Sequence, residues 1–138
     1  ELERRFVDAT PADRVWLLRV LGRLDDALTL GQRLLRERST FRVLLLVAHV
    51  HQWRGEFDRA ELQQRARALA VGDRQLAFVE QHVGKRLFDS GRYREALGAF
   101  AAALTLRQRC GAPEDQLLSS RVAVQRAGEL ASRSIDQP

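Results

Sequence analysis

Three glycines, each followed by the same short pattern, divide this sequence into pieces of similar length. Gly22, Gly55 and Gly91 stand 33 and 36 residues apart, and a large apolar residue comes two positions after each of them. An alanine stands five positions after each glycine. Small side chains let two helices approach closely, and a repeat of this length is typical of stacked helical hairpins. The chain is therefore predicted to build its interior from copies of one two-helix unit.

Apolar residues recur at helical spacing along nearly the whole chain, for example at Val15, Leu18 and Leu21. Only residues 41–50 offer a competing pattern, because their continuous apolar and β-branched run also suits a buried strand. This pattern continues through Trp53, which favours a buried helix. The sequence therefore predicts an all-α fold.

Local start and stop signals divide the helical material into short segments. Thr10 and Pro11 supply an N-cap and a first-turn proline, and Ser39 or Thr40 caps the third helix. Glycines end most of the segments. The predicted helices cover residues 11–21, 24–38, a third from its cap to residue 54, 58–71, 75–89, 93–109 and 114–132. Residues 1–9 are interpreted as the tail of an earlier helix, and the last few residues as frayed.

The third copy of the repeat carries the longest pattern. Gly84 precedes its corner glycine by seven residues, and Phe100 and Ala103 follow that glycine by nine and twelve residues. With these residues the stretch 83–103 resembles the tetratricopeptide repeat family, whose repeats have a small residue on the first helix, a Gly-x-aromatic turn, and alanine, aromatic and alanine on the second helix. The resemblance extends over about residues 10–109.

This resemblance implies a right-handed α-α superhelix, or solenoid, within a single domain 1–138. The implied hairpins are about residues 10–38, 40–71 and 74–109, with a capping helix at about 114–132. The first copy has Gly31 where the family has an aromatic residue, and the second has Gln64 and Arg67 at positions that are usually apolar or small. Because the sequence lacks methionine and begins at Glu1, we interpret it as a piece of a longer protein.

In this family the first helices of successive hairpins line a concave groove that receives a peptide or a partner's helix. The spacing from each corner glycine assigns Asp13 to this face, together with ten residues that are predicted to contact the partner: Trp16, Arg19, Arg42, Leu45, His49, Gln52, Phe78, His82, Lys85 and Phe88. The cations and imidazoles, Arg42, His49, His82 and Lys85, are predicted to pair with an acidic segment or a terminal carboxylate. The aromatic residues Trp16, Phe78 and Phe88 either anchor apolar side chains of the partner or belong to the core.

The resemblance thus implies an interaction scaffold for a protein or peptide partner. The family's clamp of lysines and asparagines for a carboxylate is not carried over, because the chain has no asparagine. An alternative is the regulatory or oligomerisation domain of a bacterial transcription regulator, and homo-oligomers are a further expectation. The net charge of +5 suits nucleic acid. However, arginines such as Arg36 and Arg38 complement helix C-termini, so direct nucleic-acid contact is not predicted.

Catalytic, metal and cofactor sites are not predicted. His49 and His82 lack a cysteine or carboxylate pair at ligand spacing, and Cys110 has no base beside it in sequence. The single cysteine and the absence of a secretory leader at the start of this sequence favour a cytoplasmic protein. The longest near-apolar run, residues 43–50, is too short to cross a bilayer.

Overall fold

The computed structural model describes residues 10–135, and side chains through residue 133. Within that range the chain forms seven α-helices and no β-strand, so the all-α prediction is confirmed. The helices are α1 (Pro11–Val20), α2 (Leu24–Glu37), α3 (Phe41–Trp53), α4 (Ala60–Leu69), α5 (Gly72–Asp89), α6 (Tyr93–Arg109) and α7 (Glu114–Ile135). The expectation for residues 1–9 lies outside the described residues. None of the described helices combines the length and apolar character that a membrane span requires.

The chain divides into two compact units, Glu1–Leu69 and Ala70–Pro138. The described part of the first unit contains α1 to α4, and that of the second contains α5 to α7. The prediction of one domain for residues 1–138 stays a prediction.

The three corner glycines of the repeat share one backbone conformation. Gly22, Gly55 and Gly91 have φ angles of 79°, 78° and 82°, in the left-handed region that glycine enters without steric cost. Each donates its N–H to the carbonyl three residues earlier, at 2.9–3.0 Å. The next residue donates to the carbonyl five residues earlier, at 2.8–2.9 Å. This pair of bonds is the Schellman motif, which ends a helix by satisfying its last carbonyls.

Side-chain caps begin the first helix of each hairpin in the first unit. The hydroxyl of Thr10 accepts the backbone N–H of Asp13 at 3.2 Å, with Pro11 opening α1. The hydroxyl of Thr40 accepts the N–H of Val43 at 3.2 Å, so Thr40 is the cap of α3. Residues 41–53 are therefore helix rather than strand.

The second helix of the second hairpin departs from the predicted pattern. After Gly22 and Gly91 an arginine bonds an acidic residue three positions later, as in the 2.9 Å contact from Arg23 Nε to Asp26 Oδ2. After Gly55 the order of charges is reversed, with an acid first and an arginine three positions later. The helix α4 then begins at Ala60 rather than at residue 58.

This late start changes which residues of α4 are buried. Gln63 and Ala66 are buried, one position earlier than the pattern of the other two copies predicts. Gln64 and Arg67, the two polar residues at the expected core positions, are exposed instead. The polar substitutions in the second copy are therefore accommodated by a shift of one residue along the helix.

Close helix contact in the first unit depends on Gly31. The buried residues Val15, Leu18, Ala27 and Val50 form the core between α1, α2 and α3. A Cβ atom on Gly31 would lie 2.5 Å from Cγ2 of Val47, far inside van der Waals contact. The valine of α3 therefore occupies the space that a side chain on α2 would need.

In the second unit the close contact joins a glycine on α5, the first helix of its hairpin, to a large residue on the second helix, α6. Its core contains Leu87, Ala96, Phe100 and Ala127, from α5, α6 and α7. The Phe100 ring packs directly over Gly84, where an added Cβ would lie 2.5 Å from a ring carbon. This contact brings α5 and α6 close together and places the aromatic ring beneath the surface between α5 and α7.

Candidate partner-binding surfaces

The second unit contains a groove of about 380 Å³ with walls from α5 and α7. The residues that line it are Gln81, His82, Lys85 and Phe88 from α5, Phe100 from α6, and Ser119, Val122, Ala123 and Arg126 from α7. Apolar side chains, among them Phe88, Phe100 and Ala123, make up most of its surface. The helix α7, which the sequence interpretation treats as a cap, is thus the second wall of the groove and does not fill it.

The rim of this groove is basic. Lys85 is exposed, and no carboxylate among the described residues pairs with it. Arg126 makes only a long contact of 3.7 Å to Glu129, and both side chains are about half exposed. His82 lies against the ring of Phe78, with 4.5 Å between their centroids. The groove therefore combines an apolar floor with two exposed basic side chains, Lys85 and Arg126, at its rim.

A buried polar network fixes α7 against the other two helices. Ser120 is fully buried, and its hydroxyl donates to Oε1 of Gln81 at 2.8 Å. Arg107 donates through Nη1 to the Ser120 hydroxyl and to the carbonyl of Gln116, both at 2.9 Å. Burial lowers the pKa of Arg107, although the group stays protonated at any physiological pH. Because the network joins α5, α6 and α7, it sets the separation of the groove walls.

In the first unit, α1 and α3 bring their predicted face residues together, and one of the predicted cations is already engaged. Arg42 of α3 is hydrogen-bonded and ion-paired to Asp13 of α1. This contact and the hydroxyl of Thr10 hold the pKa of Asp13 below its usual value. Arg42 is therefore not a free receptor for an acidic partner, unlike Lys85.

The other end of the α1–α3 face holds an aromatic and basic cluster. The guanidinium carbon of Arg19 lies 4.5 Å from the centroid of the Trp53 ring. The indole N–H of Trp53 donates to Nε2 of His49 at 3.1 Å, which identifies that nitrogen as the acceptor. Trp16 is exposed and lies one turn before Arg19 on α1.

A second imidazole, His51, is buried at the end of α3. Its Nε2 accepts from Arg59 at 2.9 Å, because a guanidinium can only donate. Its Nδ1 therefore carries the proton and faces Glu56 at 3.4 Å. Burial and then the charge of Arg59 lower the pKa of His51, so the neutral ring is favoured in the folded chain.

The ten predicted face residues differ in accessibility. Arg19, Leu45 and Gln52 are buried, His49, His82 and Phe88 are partly buried, and Trp16, Arg42, Phe78 and Lys85 are exposed. Leu45 contributes to the core rather than to a surface. His82, Lys85 and Phe88 lie together in the groove of the second unit.

Sequence reasoning did not select the contribution of α7 or that of Trp53. The four groove residues of α7, Ser119, Val122, Ala123 and Arg126, follow the spacing i, i+3, i+4 and i+7 of one helical stripe. That stripe is visible in the sequence, but two of its four residues are polar, so its spacing alone does not identify it as a groove wall. Trp53 follows His49 by four residues, the spacing of helical neighbours.

Within residues 10–135, no three or more His, Cys, Asp or Glu side chains are grouped as a metal site would require. The thiol of Cys110 is exposed and contacts the carbonyl of Arg107 at 3.6 Å. In comparisons with known proteins, no family model matched the chain and no curated protein matched it either.

Proposed function

We propose that this chain is a protein-interaction module, and that the groove between α5 and α7 binds a short segment of a partner protein that combines apolar and acidic side chains. The proposal rests on an apolar groove floor beside Lys85 on the rim, which pairs with no carboxylate of the described residues. A cation beside an apolar pocket favours a ligand that offers a carboxylate next to an apolar anchor.

The fold belongs to the same proposal. The hairpins are proposed to continue as a right-handed α-α superhelix of the tetratricopeptide type, in which α5 and α7 occupy equivalent places along one face. The shared Schellman corners at Gly22, Gly55 and Gly91 support this reading, because identical corners fold successive helices back in the same way.

The chemistry of the groove limits what it can select. A volume of about 380 Å³ suits a few side chains rather than a whole helix, so recognition is concentrated on a short stretch of the partner. Exposed charges act mainly on association rate and specificity, whereas burial of an apolar anchor supplies affinity. Binding is therefore expected to weaken with added salt without being abolished.

Selection from a display library of short random peptides tests the charge preference. The expected peptides combine Asp or Glu with a large apolar residue, and their affinity falls about tenfold or more in Lys85→Glu, equal to about 1.4 kcal/mol. The matched control is Arg94→Glu, an exposed arginine on α6 outside the groove lining that makes the same change in net charge. Equal losses in both variants would point to net charge alone and would contradict the proposal.

The contribution of apolar contacts to peptide affinity is tested with two alanine variants on α7, one inside the groove lining and one outside it. Val122 lines the groove and Leu118 does not, and both residues are 56% exposed. Truncation of Val122 to alanine is expected to weaken the selected peptides several-fold, whereas Leu118→Ala leaves their affinity unchanged. Selection of peptides that lack acidic residues, or that bind both alanine variants equally, rejects this groove as the site.

A further inference from the structure

The cation Arg19 in the first unit is buried, and no carboxylate of residues 10–133 pairs with it. The residue is only 7% exposed, and its enclosed Nε meets no hydrogen-bond acceptor. Among residues 10–133 its sole specific contact is the stack on Trp53. Burial lowers the pKa of Arg19, yet the group cannot lose its proton at physiological pH. A buried guanidinium without an acceptor is uncommon, because such groups are normally hydrogen-bonded or paired.

The stack of Arg19 on Trp53 reaches the surface of the first unit. The ring of Trp53 covers one face of the guanidinium at 4.5 Å and is itself 50% exposed, so the stack lies at the surface. The indole N–H of Trp53 is already donated to His49. A ligand that approaches the exposed Trp53 ring would therefore reach the Arg19 guanidinium stacked on it.

We infer that Arg19 and Trp53 form a receptor for a single carboxylate, presented by a partner's acidic side chain or chain end, or by a small carboxylic acid. The terminal N–H groups of arginine match the two oxygens of a carboxylate, and an exposed aromatic ring beside them suits an apolar neighbour of that carboxylate. This site lies in the first unit and is independent of the groove between α5 and α7.

Charge balance favours a carboxylate over a phosphate group. The guanidinium of Arg19 neutralises one negative charge, and the other predicted arginine of this face, Arg42, is already paired with Asp13. The carbonyl end of α1 is close to Arg19 and favours a cation, so it opposes a dianion more strongly than a monoanion. Because the carbonyl end of α1 disfavours any anion, an isolated carboxylate is expected to bind weakly. A carboxylate that carries an apolar group is expected to bind more tightly.

Titration with sodium acetate, followed by the NMR signals of the Arg19 side-chain Nε–H and the Trp53 indole N–H, tests the site in the wild-type chain. Sodium chloride at equal ionic strength is the reference. Acetate is expected to shift both signals to a saturating value, while chloride produces a small, non-saturating change. Phenylacetate, which adds an apolar ring, is expected to saturate at a concentration at least tenfold lower.

Two variants complete the test. In Arg19→Lys the charge is kept but the planar fork is lost, and the acetate concentration at half-saturation is expected to rise about tenfold. The matched control Arg36→Lys changes an exposed arginine at the end of α2 and leaves the titration unchanged. Should Arg19→Lys fail to fold, Trp53→Leu replaces it, and loss of the preference for phenylacetate over acetate is then the supporting result.

Three outcomes overturn the inference. The first is an absence of saturable shifts in the wild-type chain. The second is an equal response to acetate and chloride, and the third is a response to inorganic phosphate at lower concentration than to acetate. None of these depends on the groove of the second unit, so failure here and failure of the proposed function are distinguishable.

Discussion

The ring of Phe100 on α6 occupies the space that a side chain on Gly84 of α5 would need, with only 2.5 Å from an added Cβ to ring carbon Cδ1. The contact holds the two helices together and also supplies part of the groove floor. A change at Gly84 therefore acts on both stability and the groove.

Substitution of Gly84 by alanine is expected to destabilise the chain by about 1–3 kcal/mol, because the buried ring must move away from the added methyl group. Gly98, on the exposed side of α6, has no atom within 4 Å of an added Cβ. Gly98→Ala should instead stabilise by about 0.4–1 kcal/mol, because alanine loses less entropy in a helix. Urea unfolding of both variants checks the pair, and changes of the same sign would contradict the close packing at Gly84.

The fully buried hydroxyl of Ser120 is expected to contribute far more to the free energy of unfolding than the exposed hydroxyl of Ser119. In Ser120→Ala the side chain of Gln81 loses its donor and Arg107 loses one acceptor, at a cost of about 1–3 kcal/mol. Ser119→Ala, at an exposed position, should change stability by less than about 0.5 kcal/mol. Thermal unfolding measures both, and equal effects would show that the network does not hold α7 in place.

Low pH is expected to reduce the free energy of unfolding, because His51 must be protonated in its buried position. The pKa of His51 is lowered in the folded state, so the unfolded chain binds the proton first as the pH falls. The contribution of His51 to stability is fully present above the pKa of about 6.5 that this residue has in the unfolded chain. It is lost as the pH falls through the lower pKa that His51 has in the folded chain. The free energy of unfolding, measured from about pH 7.5 down to about pH 5, should fall more steeply in the wild type than in His51→Gln. The same slope in both would assign the pH dependence to other groups.

Alanine substitutions at the corner glycines Gly22 and Gly91 are expected to reduce stability by similar amounts. An alanine at Gly22 or Gly91 must adopt a positive φ, which costs about 1–2 kcal/mol. No atom lies within 4 Å of an added Cβ at either position, so backbone strain is the only large contribution. Urea unfolding of the two variants should give losses that agree within about 0.5 kcal/mol. A loss at one corner and none at the other would show that the two corners are not equivalent.

Much of the helical framework follows from local signals. The caps at Thr10 and Thr40, and the glycines that end α1 and α3, act within a few residues, so sequence alone locates these boundaries closely. The start of α4 could not be located in the same way. It depends on where Glu56 and Arg59 find partners, and both contact the buried ring of His51 on the preceding helix.

The candidate sites were less accessible to sequence reasoning. His82, Lys85 and Phe88 were selected by spacing along α5, and the structure places them in one groove. The opposite wall could not be assigned, because which stripe of α7 faces α5 is decided by the buried hydrogen bonds of Ser120. Likewise Arg42 and Arg19 look alike in the sequence, although only the first has an acidic partner among the described residues.

The sequence by itself determined that residues 10–135 form short helices with left-handed glycine corners, because helical period, capping and positive φ act over a few residues. The tertiary structure alone decided which cations of residues 10–133 lack a counter-charge within that range, and which helices enclose a groove. Those properties depend on side chains that are distant in the chain and meet only after packing, so no local pattern encodes them.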